Sequence, residues 1–268
     1  MIGRPAGDAT SHRSAFRPHA RACILGLMCG RFVMATPVAE IGRMFGVQER
    51  PNLQARYNVA PTQAVAVVRA GDEGGRRLDL MRWGLVPFWA KDAGIGSKMI
   101  NARSDGLAEK PAFREAVRRR RALIPADGFY EWRTIGCGDR TEKRPLYFRR
   151  RDGLPLAFAG LWESWKGPKG GEALPEPMLT ASIVTTDANA TLREIHDRMP
   201  VVLPESDWDE WLSPDTGLER ALSLLRPAAD DLLEALPVST RVNSVRNEGP
   251  ELILPDAPPP PPAQGMLL

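Results

Sequence analysis

The sequence Met-Cys-Gly-Arg-Phe at residues 28–32 contains a cysteine that could become an N-terminal residue. If Met28 is removed, Cys29 carries a free α-amine with an unperturbed pKa of about 7.7–8.0 beside a thiol with a pKa of about 8.5. Such an aminothiol condenses with an aldehyde, because the amine forms an imine and the sulfur then closes a thiazolidine ring. An internal cysteine lacks this chemistry, since its nitrogen belongs to a peptide bond. The residue type alone is equally compatible with a small buried apolar side chain.

Two other side chains have the chemistry to move protons. Glu131 lies between Tyr130 and Trp132 at the end of a predicted strand, where aromatic neighbours could exclude water and raise the pKa of its carboxyl group. His196 is the single histidine beyond the first 27 residues, and the unperturbed pKa of imidazole, about 6.5, suits proton transfer. A solvent-facing carboxylate and a structural histidine at a helix end are the simpler interpretations of the same residues.

Further motifs combine polar and aromatic residues in segments that otherwise have strand or turn patterns. They are Arg-Tyr-Asn-Val-Ala-Pro-Thr-Gln at 56–63, Trp-Gly-Leu-Val-Pro-Phe-Trp at 83–89, Asn-Ala-Arg-Ser-Asp at 101–105, Ile-Pro-Ala-Asp-Gly-Phe-Tyr-Glu-Trp at 124–132, His-Asp-Arg-Met-Pro at 196–200 and Val-Asn-Ser-Val at 242–245. Together with the Met-Cys pair, and in this order, they resemble the SOS-response-associated peptidase (SRAP) family of abasic-site processing proteins. The resemblance covers Met28 to Leu254.

The resemblance implies a DNA-repair protein that crosslinks to abasic sites in single-stranded DNA through a thiazolidine at Cys29. It also implies a cysteine-type self-cleavage that exposes Cys29. The catalytic residues carried over from the family motifs are Cys29, Asn58, Glu131 and His196. The residues expected to contact DNA are Arg31, Trp83, Asn101 and Arg103, since guanidinium groups suit phosphate oxygens and aromatic rings stack on bases. No metal or organic cofactor is expected.

Two other functions remain compatible with the sequence. In an N-terminal-nucleophile amidohydrolase, the Cys29 thiolate would attack a carbonyl group of a small molecule, with the free amine as the base. A non-covalent DNA-binding module would retain DNA in a salt-sensitive manner. A denaturation-resistant complex with an abasic oligonucleotide is expected only for the crosslinking protein.

The charge of the chain is uneven along the sequence. The net charge of +3 does not by itself indicate a nucleic-acid partner. Residues 110–151, however, contain thirteen basic and five acidic residues, whereas residues 205–234 contain two basic and nine acidic ones. This asymmetry predicts one polyanion-facing side, although Arg118 to Arg121 could also be the solvated end of a helix.

The remaining sequence features bound the domain organisation and the compartment. Cys23, Cys29 and Cys137 lack Cys-x-x-Cys spacing, which favours a reducing cytoplasm over a disulfide framework. No segment reaches the roughly 18 apolar residues of a membrane helix. We expect a disordered leader at residues 1–27, one monomeric domain at 28–254 and a disordered proline-rich tail at 255–268.

The patterning within the domain predicts an α+β fold of mainly antiparallel strands that form a curved or barrel-like sheet with flanking helices. Thr36 is predicted to cap a short helix ending at Phe45. Residues 64–69 and 78–83 are predicted to form a hairpin. Residues 122–133 are predicted as one strand, and Asp187 as the cap of a helix that runs to Ile195.

Overall fold

The computed structural model describes residues 29–49, 51–137 and 140–256, excluding the side chains of Cys137 and Arg140. The predicted leader, Met28 and residues 257–268 of the predicted tail lie outside this range. The strands are β1 Phe32–Met34, β2 Arg56–Val59, β3 Ala64–Ala70, β4 Arg76–Trp83, β5 Asn101–Arg103, β6 Arg121–Ala126, β7 Gly128–Cys137, β8 Arg140–Arg150, β9 Leu156–Trp165, β10 Met178–Asp187, β11 Arg198–Pro200 and β12 Leu233–Pro237. The α-helices are α1 Val38–Phe45, α2 Arg114–Arg119, α3 Ala190–Arg193, α4 Trp208–Leu212 and α5 Leu218–Ser223, and the 3-10 helices are Ala93–Lys98, Glu205–Asp207, Thr240–Asn243 and Pro250–Ile253.

Five strands close into a small barrel, in the order β3, β4, β10, β9, β6 and back to β3. Strand β10 is long enough to pair with two strands along each of its edges. On one edge its start pairs in parallel with β4, and its later residues pair in parallel with the short strand β5. The other edge pairs with β9 over six residue positions and then with the short strand β11. The end of β10 therefore pairs with two short strands, β5 and β11, that come from distant parts of the sequence.

A second sheet, in the order β12, β8, β7, β1 and β2, is antiparallel throughout. It packs against the barrel through aromatic rings. Phe32 on β1 meets Trp83 edge-on at 5.0 Å between ring centroids, and Phe158 lies against both Phe32 and Phe129. Burial of these large rings from both sheets supplies much of the apolar area that drives the two layers together. The predicted α+β fold with a barrel-like, mainly antiparallel sheet is confirmed.

The predicted helix near residue 37 is confirmed as α1, which buries Ile41 and Phe45 and ends at Gly46 in the left-handed conformation. The predicted cap is wrong. The Thr36 hydroxyl donates to the Asp127 carboxylate instead, and the amides of Ala35 and Thr36 donate to the same group. Asp127, which lies between β6 and β7, thus holds in place the backbone that leads into α1.

The predicted strand at 122–133 is two strands in different sheets. The chain leaves the barrel after β6, turns at Asp127 and enters the second sheet as β7. A glycine is needed at position 128, since a Cβ atom there would collide with the carbonyl oxygen of Phe148 and the Tyr147 ring. Alternating hydrophobicity does not reveal such a change of sheet, because both strands are buried.

Two further predictions concern the hairpin and the last helix. The hairpin is confirmed, with β3 and β4 in antiparallel register around the turn at residues 71–75. The cap of α3 is Asn189, whose side chain accepts from the amide of Leu192, and not Asp187. Asp187 instead forms an ion pair with Arg198. The helix also ends at Arg193, earlier than predicted.

The charge asymmetry of the sequence is partly neutralised within the fold. Arg149 pairs with Glu234 at 2.7 Å, which joins the basic and the acidic stretch directly. Arg120 pairs with Glu163, and Arg121 is buried, donating to backbone carbonyls at the ends of α2 and α4. Arg118 and Arg119 are exposed at the end of α2. The arginine run therefore divides into structural and solvent-facing members.

No described helix is long and apolar enough to cross a membrane. The described part of the chain also contains no group of three or more histidine, cysteine, aspartate or glutamate side chains arranged to hold a metal ion.

Candidate active site

Cys29 and Glu131 lie together at one end of the second sheet. Strands β1 and β7 are neighbours, and the amide of Tyr130 donates to the carbonyl of Arg31 at 3.0 Å. This register places Glu131 beside the start of the chain segment that leads into β1. The backbone nitrogen of Cys29 donates to Oε1 of Glu131 at 2.7 Å. Both residues are buried, with exposed fractions of 1% and 4%.

Burial changes the acid–base properties of this pair. Burial raises the pKa of Glu131 to about 7, although hydrogen bonds from the amides of Cys29 and Trp132 partly oppose the shift. Glu131 forms no ion pair with a described residue, so only these N–H groups compensate its charge. Burial and the nearby Glu131 carboxylate raise the pKa of the Cys29 thiol well above its usual value. The buried site therefore contains a protonated thiol next to a carboxyl group with a pKa of about 7.

The backbone at Cys29 has a positive φ of 38°. Positive φ is uncommon outside glycine, and such residues cluster at functional sites. This strain exists only while a peptide bond precedes Cys29. An N-terminal amine has no preceding carbonyl group and rotates freely about its bond to Cα, so the strain is then absent. No local sequence pattern indicates this conformation.

Arg31 and Asn58 contact each other and the segment at residues 240–248, which we call the strap. Nη1 of Arg31 donates to Oδ1 of Asn58 at 2.7 Å and to the carbonyl of Val242 at 2.9 Å. Nδ2 of Asn58 donates to the carbonyls of Ser244 and Asn247 at 2.9 and 3.0 Å. Because Asn58 is fully buried and both ends of its amide are engaged, its side chain does not reach a sugar in this arrangement. The assignment of Asn58 as a catalytic residue stays a prediction.

Trp83 is a core residue. Its exposed fraction is 0%, its ring packs against Phe32, and its indole N–H donates to the carbonyl of Ile100 at 2.9 Å. No face of the ring is accessible to a base in this structure, and the contact of Trp83 with DNA stays a prediction. Trp83 joins the segment after Cys29 to the start of β5. The exposed aromatic residue of the same motif is Phe88.

Asn101, Arg103 and His196 lie at the end of β10, where β5 and β11 join the barrel. Asn101 is half-buried opposite Ile183, and the Arg103 side chain is 59% exposed and paired with Asp105 at 3.2 Å. Nδ1 of His196 lies 3.2 Å from the amide of Arg198 and 2.8 Å from Oδ1 of Asp197. A neutral Nδ1 accepts from the amide, whereas a protonated one donates to the carboxylate, so protonation exchanges one partner for the other.

Sequence reasoning selected neither Asp105 nor Arg198, which organise this edge. Arg198 is buried and binds Asp105, Asp187 and the carbonyl of Thr185. Burial would raise the pKa of Asp105, but its hydrogen bond to Arg103 and the charge of Arg198 hold that pKa below its usual value. Both residues stood inside motifs singled out above. Each of these motifs contains both an arginine and an aspartate, and this mixture of charges was the signal in the sequence for an ion-pair network.

The strap also went unrecognised as a structural partner of the site. Its Val-Asn-Ser-Val motif is visible in the sequence, but its partners Arg31, just before β1, and Asn58, on β2, lie 211 and 186 positions away along the chain. Glu248 at the end of the strap accepts from the Arg56 guanidinium at 2.9 Å and from the amide of Tyr57 at 2.8 Å. Such long-range pairing is not encoded by local patterning.

Comparisons with known proteins agree with this architecture. The family model for SOS response associated peptidase (SRAP) matches residues 28–245. The abasic site processing protein YoqW of Bacillus subtilis is 42% identical over 84% of this chain and 99% of that protein. The abasic site processing protein HMCES of Gallus gallus is 31% identical over 85% of this chain and 78% of that protein.

Solved structures show the same similarity. A protein from Bacteroides thetaiotaomicron superposes with a TM-score of 0.74 and 26% identity, covering 85% of this chain and all of that one. A protein from Bordetella bronchiseptica gives a TM-score of 0.67 and 26% identity, covering 79% of this chain and all of that one.

Proposed function

The chain belongs to the SRAP family, and on that basis we propose that it processes abasic sites by bonding covalently to them through Cys29. Relatives that are up to 42% identical over nearly their whole length carry the name abasic site processing protein. The observation that best supports the proposal is the 2.7 Å contact between the Cys29 nitrogen and the buried Glu131 carboxyl group. It places a proton acceptor at the atom that must act as nucleophile.

The reaction that we propose begins at nitrogen. The unprotonated α-amine attacks the aldehyde carbon of the opened abasic sugar, and loss of water gives an imine. Sγ then adds to the imine carbon while the thiol proton is transferred to nitrogen, so that aldehyde and aminothiol yield a thiazolidine and water. The raised pKa of the Cys29 thiol favours this order, since the sulfur holds its proton at neutral pH.

Glu131 serves as the proton carrier in this scheme. While the Cys29 nitrogen is an amide, burial raises the pKa of Glu131 to about 7. The ammonium group of the processed terminus lowers that pKa, so the Glu131 carboxylate is available at neutral pH to accept a proton from this group. It accepts a proton from the amine before attack and returns one to the departing water. No other carboxylate contacts the Cys29 nitrogen in the described chain.

The nucleophile must be freed from the preceding residue. Removal of Met28, by an aminopeptidase after initiation at Met28 or by self-cleavage, converts the amide held by Glu131 into an amine at the same position. The positive φ at Cys29 favours self-cleavage of the folded chain, because losing the preceding peptide bond relieves strain on the order of 1–3 kcal/mol.

The charged edge at β5, β10 and β11 supplies the proposed DNA contacts. The Arg103 guanidinium is exposed, and its pairing with Asp105 is a surface ion pair that contributes little to stability and that a phosphate can replace. His196 lies on the same edge, and we assign to it proton transfer during opening of the sugar ring or reversal of the adduct. Phe88 is the exposed ring available for stacking on a base.

Incubation with single-stranded DNA that carries one abasic site tests the proposal. Protein with a verified Cys29 terminus is expected to form an adduct that survives heat and SDS, whereas Cys29→Ala should form none that is stable. Borohydride should still trap an imine on Cys29→Ala, because that variant keeps its terminal amine. Equal stable crosslinking by Cys29→Ala would contradict the thiazolidine mechanism, and retention that salt alone abolishes would favour non-covalent binding.

A further inference from the structure

Cys29 has few covalent constraints once it is N-terminal. Its position then depends on Gly30 and on the anchoring of Arg31, two residues further along. The carbonyl of Arg31 accepts from the amide of Tyr130, beside Glu131, so the main chain is fixed at that point. The side chain of Arg31 is the second anchor, and all of its described contacts lead to Asn58 and the strap.

The anchor of Arg31 is a network of buried polar contacts without a counter-charge. The Arg31 guanidinium is half-buried and donates to Oδ1 of Asn58 and to strap carbonyls, and burial lowers its pKa. It forms no ion pair with any described residue. Asn58 is the central member, because it accepts from Arg31 at one end of its amide and donates to the strap at the other. A buried amide that satisfies both ends is a rigid connector.

The strap is in turn fixed at points that do not involve Asn58. The indole N–H of Trp132, the residue after Glu131, donates to Oδ1 of Asn243 at 2.7 Å. At the other end, Glu248 binds Arg56 and the amide of Tyr57. The strap therefore joins β2, which carries Asn58, to β7, which carries Glu131.

We propose that Arg31 and Asn58 are positioning residues that, through the strap, set the distance between the Cys29 amine and the Glu131 carboxylate. Arg31 then acts on the reaction itself, in addition to any contact with DNA. This inference rests on the proposed aminothiol chemistry of Cys29, but it does not require that the substrate be DNA.

Propionaldehyde is the probe that separates the two roles, because it carries no phosphate. Its condensation with Cys29, followed by intact mass, reports the amine, the thiol and Glu131 alone. A displacement of reacting groups by about 1 Å can reduce a rate about 100-fold. We therefore expect Asn58→Ala and Arg31→Lys to slow thiazolidine formation by about 10- to 100-fold at saturating aldehyde. Arg31→Lys keeps the charge that a phosphate needs but loses the planar fork.

Arg121→Lys is the matched control. Arg121 is also a buried arginine whose guanidinium donates to backbone carbonyls, but these belong to α2 and to the end of α4. It should lose a similar amount of thermal stability without a change in the aldehyde rate. If Asn58→Ala does not fold, Arg31→Lys alone decides the matter.

The same variants are then measured with single-stranded abasic DNA at increasing concentration. Positioning predicts a lower maximal rate of adduct formation with an unchanged half-saturating concentration for Asn58→Ala. A wild-type propionaldehyde rate in Arg31→Lys, with weakened DNA binding, would overturn the inference and leave Arg31 as a phosphate contact only. Wild-type protein that reacts with propionaldehyde but not with abasic DNA would refute the proposed function and leave the positioning roles standing.

Discussion

The two groups of predicted site residues, one at Cys29 and one at the β10 edge, differ in how they treat charge. At the Cys29 end, one carboxyl group is buried without a cation, and hydrogen-bond donors from the backbone surround it. At the β10 edge, Arg103, Asp105, Asp187 and Arg198 neutralise one another, and several of these groups reach solvent. Burial without a counter-charge raises a carboxyl pKa, whereas pairing lowers it. The first environment suits proton transfer, and the second suits exchange of a protein carboxylate for a phosphate.

The largest effect that separates the two groups is expected from Glu131→Gln. This substitution keeps the shape of the side chain but removes the proton acceptor, and general acid–base groups contribute about 10²- to 10⁴-fold to rates. Adduct formation should slow by that factor with both propionaldehyde and abasic DNA, and the remaining dependence of the rate on pH should be that of the α-amine, whose unperturbed pKa is about 7.7–8.0.

Glu163→Gln provides the control for Glu131→Gln. Glu163 is likewise buried with a raised pKa, owing first to burial, but it pairs with Arg120 on the barrel. Its substitution should leave both rates unchanged. A Glu131→Gln variant that crosslinks at the wild-type rate across pH 5 to 8 would remove Glu131 from the mechanism.

His196→Ala should affect only the reaction that involves a sugar ring. Its imidazole lies at the charged edge, and propionaldehyde has no ring to open, so the aldehyde rate should be that of the wild type. Formation or release of the abasic-site adduct should slow by about 100-fold. Time courses of both reactions across pH 5 to 8 measure this difference. Equal losses with both substrates would instead place His196 with the Cys29 end.

The buried carboxyl group should also make stability depend on pH while Met28 is still linked to Cys29. The pKa of Glu131 is raised from 4.5 to about 7, so the folded state binds more protons than the unfolded state between these values. The contribution of Glu131 to the unfolding free energy is therefore highest below 4.5 and is lost as the pH rises through about 7. At about 1.4 kcal/mol per pH unit, the loss amounts to about 3 kcal/mol.

Denaturant unfolding of the wild type and of Glu131→Gln at several pH values measures this contribution. The difference in unfolding free energy between the two proteins should change by about 3 kcal/mol from pH 4 to pH 8. In protein that begins at Cys29, the positive amine should reduce the change, since an adjacent cation lowers a carboxyl pKa. A difference that is constant with pH would mean that the Glu131 carboxyl group is not desolvated.

The sequence predicted the reactive residues Cys29 and Glu131 better than the contacts that hold them in place. The motifs containing Cys29 and Glu131 indicated nucleophile and acid, and both predicted residues meet in space. The motifs predicted Trp83 as a DNA contact and Asn58 as a catalytic residue, because aromatic and amide side chains have the right chemistry, but both side chains are fully buried. That burial depends on which sheets face each other. The change of sheet at Asp127 and the contacts of the strap likewise arise from tertiary packing rather than from local propensity.

The smallest effect is expected at the charged edge, from Arg103→Ala. Arg103 is exposed and forms a surface ion pair, so its removal should hardly change stability. If it contacts a phosphate, the affinity for single-stranded DNA should fall, and the slope of log affinity against log salt should flatten by about 0.7. Arg220→Ala is matched to it, because Arg220 is similarly exposed, at 58%, and pairs with Glu210 in the acidic stretch. That variant should retain both the affinity and the slope of the wild type. If the two variants behave alike, phosphate binding does not lie at the β10 edge, and the division of the site into a proton-transfer end and a phosphate-binding end fails.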